Sequence, residues 1–179
     1  MKTFDFNKET GQISIDGVIF SPGDTVDRVK KLLLSLEISC KENGDKDFYS
    51  IFPEEEIGLE KLIFHLRFLF SRKRLTHIAM WLVNTTPSPG DYSEEDGDAI
   101  RFDKTRISKL FVKRYALSNM RKTGDSSRPN DRNTANFDWG SLDVFMETER
   151  GWCSGLCITY ESPQTPPKHK RLRYNVALE

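Results

Sequence analysis

The chain of 179 residues has little of what most small enzymes and secreted domains display. Its three cysteines are an odd number and too few for a disulfide framework, which predicts a reducing, cytoplasmic home. Its three histidines, His65, His77 and His169, stand in no metal-like pair. Gly23 and Gly90 belong to no phosphate-cradling loop. No apolar run approaches the ~20 residues of a membrane span. The nearest, Leu62 to Trp81, is broken by His65, Arg67 and Ser71-Arg72-Lys73-Arg74. The first residues, Met1-Lys2-Thr3-Phe4-Asp5, carry no apolar stretch, so no secretory leader is expected. Net charge is also missing: 27 basic residues balance 27 acidic ones, which speaks against a general nucleic-acid binder.

The charge is unevenly placed. Met1 to Glu95 holds 16 acids against 12 bases, and Asp96 to Glu179 holds 11 against 15. Glu54-Glu55-Glu56 and the run Asp91, Glu94, Glu95, Asp96 and Asp98 stand out in or next to the acidic half. The Glu54 run is able to hold a cation, but neighbouring loop carboxylates are more commonly solvated charge.

Alternation and turn chemistry predict the elements. Phe4-Asp5-Phe6 and Gln12-Ile13-Ser14-Ile15 form a hairpin, and Asp16-Gly17 turns the chain into Val18-Ile19-Phe20. Ser21-Pro22-Gly23-Asp24 stops that strand and offers a cap. Val26, Val29, Leu33 and Leu36 recur at helical spacing over Thr25 to Leu36. Glu42 to Lys46 reads as loop, Asp47 to Phe52 as strand, and Pro53-Glu54-Glu55-Glu56 as a turn or helix start. Leu62 to Phe70 alternates. Leu75 to Val83 is apolar on both parities and should be central, covered on both faces.

Ser93-Glu94-Glu95-Asp96 resembles a capping box. Ile100, Ile107, Leu110, Phe111 and Leu117 supply a helical stripe to about Ser118. Its wet face is basic, with Arg101, Lys104, Arg106, Lys109, Lys113 and Arg114. Stacking aromatics are not interleaved there, which favours a solvated face over a nucleic-acid track. Asn119 to Asn136 reads as a long polar loop.

Trp139 to Tyr160 reads as a hairpin. Leu142, Val144 and Met146 share one face of its first strand. In the second, Cys153, Gly155 and Cys157 oppose Leu156, Ile158 and Tyr160. Two cysteines at i and i+4 of a strand lie ~13 Å apart, too far to bond and a poor zinc pair. No Cys-His signature marks a nucleophile, so they read as small packing residues.

The prediction is one α+β domain over residues 1–162, an antiparallel sheet of about six or more strands carrying two main α-helices. A Pro-containing basic tail follows at 163–179, where Leu172 to Leu178 can add a strand. Phe64, Phe68, Trp81, Leu110, Val144 and Ile158 are the expected core.

The layout resembles a known group. Gly17-Val18-Ile19-Phe20-Ser21-Pro22-Gly23 precedes a helix, and a Phe-rich hairpin and a Ser-Glu-Glu helix follow. The chain then runs from Trp139-Gly140-Ser141 to Ile158-Thr159-Tyr160. This is similar to small bacterial immunity-type proteins, the cytoplasmic partners of polymorphic or contact-dependent inhibition toxins. Such relatives often have a Gly-Gly or Gly-Cys turn, where this chain has Gly151-Trp152-Cys153, and the Asn119–Asn136 loop and the tail have no counterpart. The resemblance implies a binding protein without catalysis, metal or cofactor, which covers a toxin's active site. Toxin nucleases are often basic, so Glu54, Glu55, Glu56, Asp91, Glu94, Glu95 and Asp96 become the expected partner-binding residues. The alternative is a nucleic-acid-binding or other interaction module working through the basic helix and tail.

Overall fold

A computed structural model describes residues 1–45, 47–83, 94–123, 131–147 and 153–161, with the backbone alone at 94–96 and 147. The chain opens as a meander. β1 (Lys2–Phe6) pairs antiparallel with β2 (Ile13–Ile15), setting Phe4 opposite Ile15 and Phe6 opposite Ile13. Asn7 holds the turn, its Oδ1 accepting the Glu9 and Thr10 amides. Asp16 and Gly17, both at positive φ, lead into β3 (Val18–Phe20), the primed-turn geometry that matches a right-twisted hairpin.

Helix α1 (Val26–Ser35) is capped by Thr25, whose Oγ1 accepts the Arg28 amide at 3.2 Å. Asp24, in the stretch expected to cap, instead accepts the Ser21 amide at 2.8 Å and pairs with Arg28 at 2.9 Å. Val29 and Leu33 face inward.

The rest is strand-dominated: β4 (Cys40–Gly44), β5 (Phe48–Pro53), β6 (Ile57–Leu59), β7 (Leu62–Ser71), β8 (Arg74–Leu82), α2 (Glu94–Tyr115), β9 (Arg121–Lys122), β10 (Arg132–Phe137), β11 (Gly140–Glu147) and β12 (Cys153–Tyr160). The strands follow the order β3-β2-β1-β6-β7-β8-β12-β11-β10-β9. The long β7 forks one edge, pairing with β6 through Leu62 to Phe64 and with β5 through Phe68 to Ser71. β4 hangs on β5.

The expectation of α+β structure holds, and the structure corrects several finer points. The sheet is mixed, because β1 runs parallel to β6 with Lys2 opposite Ile57. Residues 40–44, read as loop from Glu42 onward, form an edge strand. Charged side chains are tolerated on an edge that pairs on one side alone. Glu54 to Glu56 make a turn without helix, and β6 follows as a strand too short to show a period. Much of the long loop expected at 119–136 is β9 and β10. Ala135 is the one fully buried residue of β10, so no apolar alternation announces it. Ala116, at φ 50°, ends α2 short of Ser118.

One face of the sheet is apolar across its central strands. Leu66, Met80, Leu156 and Val144 lie side by side across β7, β8, β12 and β11, all buried, and Phe68, Ile78, Ile158 and Leu142 form the next row. α2 covers this face with Ile100, Ile107 and Phe111. Polar anchors fix its height: the Ser154 hydroxyl donates to the Ile100 carbonyl at 2.7 Å, and the nearly buried Lys104 pairs with Asp131 at 2.7 Å. The meander folds over the same face. Phe20 meets Phe68 at 5.1 Å, the Trp139 indole N–H donates to the Lys8 carbonyl at 2.8 Å, and the Tyr160 hydroxyl donates to the Gly11 carbonyl at 2.9 Å. Gly11 sits at φ 72°, and a Cβ there would lie 2.5 Å from the Trp139 ring.

Phe64, Phe68, Val144 and Ile158 are in this core as expected, but Trp81 and Leu110 are half-buried. Trp81 has the opposite parity to Met80 and Leu82, so it points to the other face of the sheet. Leu110 lies beside Phe111 at the flank of the helix stripe. β8 is central in the sheet, with its second face only partly covered. The Pro-containing tail and the turn at 148–151 lie outside the described residues.

Candidate functional site: an uncovered sheet face

Strand geometry places every second residue of β7, β8, β12 and β11 on the face away from the helices. Register then sets the rows. Arg67, Ala79, Cys157 and Asp143 lie side by side. His65, Trp81, Gly155 and Phe145 form the next row, and Leu69, His77, Thr159 and Ser141 another. Phe48, Ser50 and Phe52 extend the face onto β5. Among the described elements, none lies across its β5, β7 and β8 part, whereas Ala79, Gly155 and Phe145, towards β12 and β11, are buried. Small residues make its floor: Phe145 leans over Gly155, where an added Cβ would stand 3.1 Å from the Phe145 ring and 2.1 Å from the Met80 carbonyl oxygen.

Arg67 divides this face into two grooves. The smaller, of about 360 Å³, is lined by Phe48, Ser50, Arg67, Leu69, Thr76 and His77. The larger, of about 590 Å³, is lined by Lys41, Phe52, Glu54, His65, Arg67 and Trp81. The guanidinium carbon of Arg67 sits 4.6 Å from the centre of the Phe52 ring. One Nη donates to Ser50 Oγ at 3.3 Å, and the Ser50 hydroxyl donates to the Asn43 carbonyl at 3.1 Å. Arg67 Nε is sealed from water and has no acceptor among the described residues. No carboxylate among the described residues pairs with it, and burial pulls its pKa below the usual arginine value. Phe48, one strand away at the mouth of the smaller groove, is 72% exposed.

His77 is half-buried in the same groove, and its burial lowers its pKa. Its Nδ1 lies 3.0 Å from Thr76 Oγ1, whose hydroxyl donates to the Leu69 carbonyl at 3.2 Å. With that proton committed, Nδ1 is the donor and Nε2 is left as acceptor. Cys157, in the Arg67 row, has a free thiol raised by burial and by Asp143, the reverse of what activates a nucleophile. Among the described residues, no three His, Cys, Asp or Glu side chains converge as metal ligands do.

The sequence-derived partner residues fall partly elsewhere. Glu54, Glu55 and Glu56 occupy the β5–β6 turn: Glu54 borders the larger groove and pairs with Lys41 at 2.9 Å, Glu55 is half-buried and Glu56 exposed. Asp91 lies outside the described residues. Glu94, Glu95 and Asp96 form the first turn of α2, described in backbone alone.

Sequence reasoning passed over Arg67 and Phe48, although Arg67 was visible as a charge on the polar parity of an alternating strand. It also passed over Phe102 on the basic face of α2. Phe102 is 64% exposed, two residues off the buried Ile100, with the Arg106 guanidinium 5.7 Å from its ring. Arg101 and Arg106 are already paired there, with Asp98 and Asp103, each at 2.9 Å. A third groove, of about 580 Å³, lies between the meander and the end of α2. Its charges offset each other, with Arg114 3.4 Å from both Asp5 and Glu60.

No described helix is long and apolar enough to cross a membrane. No protein-family model matches the chain, and comparison with curated proteins and with solved structures gives no match.

Proposed function

We propose that this protein is a cytoplasmic bacterial immunity protein, which binds and neutralises a cognate toxin by covering it and performs no chemistry of its own. The observation that carries the binding role is the part of the sheet face on β5, β7 and β8 that no described element covers. Trp81, Phe52, Phe48 and Arg67 stand together on it around two open grooves. Aromatic residues and arginine are the types that anchor protein interfaces, and a rigid sheet presents them with little ordering cost. The toxin as partner rests on the resemblance of layout from the Gly17–Gly23 opening to Ile158-Thr159-Tyr160. The acidic residues Glu54, Glu55 and Glu56, with Asp91, Glu94, Glu95 and Asp96, are the surfaces that would steer a basic toxin towards the face.

The experiment is co-expression with whatever toxin-like protein the neighbouring genes encode. Restored growth together with co-purification of the two proteins is the expected result. Unrelieved toxicity with no complex would overturn the reading.

One observation favours a second reading, in which the outer face of α2 binds single-stranded nucleic acid: the exposed Phe102 lies among Arg101, Arg106 and Lys109. Its sign would be oligonucleotide binding that weakens steeply with salt and is lost in Phe102→Ala.

A further inference from the structure

Given that the uncovered face is a protein contact surface, we infer that the partner segment seated on it is acidic: a carboxylate enters between the two grooves to pair with Arg67, and flanking apolar side chains fill the grooves. This inference rests on the immunity-protein reading and adds the chemistry of the partner.

Charge on the face points this way. Among the described side chains of its strands and the adjoining turn, it carries Lys41, Arg67, Arg121 and Arg132 against Glu54 and Asp143. Lys41 is neutralised by Glu54, and Asp143 accepts the Thr134 hydroxyl. Among the described residues, Arg67, Arg121 and Arg132 have no ion pair, and of these Arg67 lies in the grooves.

The geometry of Arg67 is that of half a binding site. The guanidinium lies against the Phe52 ring, and Ser50 takes one Nη. A guanidinium held in plane presents parallel N–H groups that match a carboxylate, which makes the strong, short, charge-assisted bonds. A buried donor left without an acceptor costs free energy, and Nε is such a donor. A carboxylate arriving at the open edge offsets the desolvation of the whole group. The groove walls are apolar on both sides of that edge: Phe48 and Leu69 on one, Phe52 and Trp81 on the other.

The same arrangement disfavours phosphate. Phosphate-recognising sites gather several cations around a nearly doubly charged group. Within the two grooves, among the described residues, Arg67 is the one cation free of a carboxylate.

A phage-displayed library of random peptides, panned against the wild-type protein, tests this. Selected peptides should carry Asp or Glu flanked by apolar residues. Their affinity should fall about tenfold or more in Arg67→Ala, the scale expected for one lost charge-assisted pair, with partial recovery in Arg67→Lys. Amide shifts on titrating a selected peptide should map to β5, β7 and β8, with circular dichroism showing both variants folded. Enrichment of neutral or basic peptides, no enrichment at all, equal binding by Arg67→Ala, or a map on α2 would overturn the inference. A toxin that fails to bind overturns the immunity reading and leaves acidic-peptide binding standing. A toxin bound equally well by Arg67→Ala overturns the inference and leaves that reading standing.

Discussion

Arg67 lies over Phe52, its guanidinium carbon 4.6 Å from the ring centre, and neither side chain belongs to the core. Both come from strands whose alternate residues, Ile51, Leu66 and Phe68, are fully buried on the other face. The contact therefore shapes the surface and adds little to the apolar interior. If it orders the arginine, the two residues should be coupled energetically. A double-mutant cycle of Arg67→Met with Phe52→Leu, read by urea unfolding, should give a coupling of about 0.5–1 kcal/mol. Simple additivity would show that the arginine is not held there.

The core and the uncovered face should respond differently to truncation. Phe64 is fully buried, and Phe64→Ala should cost about 3–5 kcal/mol. Trp81, its neighbour on the opposite face, is half-buried, and Trp81→Ala should cost clearly less. Equal losses in chemical denaturation would place Trp81 in the core after all.

His77 gives a pH dependence. Burial lowers its folded pKa beneath the ordinary value of 6.5. Between the two values the unfolded chain binds the extra proton, so stability rises with pH there. The contribution of the neutral ring is complete above about pH 6.5 and is lost as the pH falls through that value towards the folded pKa. The imidazole signal of His77 should titrate below 6.5, the ordinary value, and His77→Gln should flatten the acid limb of stability. A midpoint at or above 6.5 would contradict the burial argument.

The β7–β8 hairpin turns on Arg72 and Lys73, both at positive φ (49° and 63°), a conformation asparagine and glycine adopt with less strain. Replacing the pair with Asn-Gly should stabilise the protein by roughly 1–2 kcal/mol. Unchanged or lower stability in thermal unfolding would mean that these side chains hold the fold in some further way.

Lys104 and Asp131 form a pair 6% and 14% exposed between α2 and the start of β10. Asp131 also has Lys122 4.0 Å away, whereas removing Asp131 leaves the Lys104 charge nearly buried, so Asp131→Leu should cost about 3–5 kcal/mol, and the double change to Met and Leu less than that. Additive losses would contradict the pairing.

Much of the fold is written in local patterns. Leu62 to Phe70 alternates, Asp16-Gly17 demands its turn, and Trp139 to Tyr160 declares a hairpin with Leu142, Val144, Leu156 and Ile158 inward. The strands that the sequence hides are polar or very short. β4 is largely polar because it is an edge that pairs with β5 alone; β10, between β11 and the two-residue β9, buries one residue fully, Ala135, so it shows no apolar period; and β6 has three residues. The parallel pairing of β1 with β6 depends on contacts far apart in the chain, which no local period encodes. The candidate surface is hidden for a related reason. Arg67, Phe52 and Trp81 come from three strands, and only the register brings them together. The acidic runs, in contrast, are contiguous in sequence and draw the eye wherever the fold puts them.

The central claim is that the uncovered face is where a partner protein binds. Calorimetric titration of the proposed cognate toxin into the wild-type protein and into Arg67→Ala and Trp81→Ala tests it most directly, with Lys113→Ala on the far side of the molecule as control. The account predicts a stoichiometric complex for wild type and Lys113→Ala, and an affinity weakened about tenfold or more by each change on the face. No complex, or a complex indifferent to Arg67 and Trp81, would contradict it.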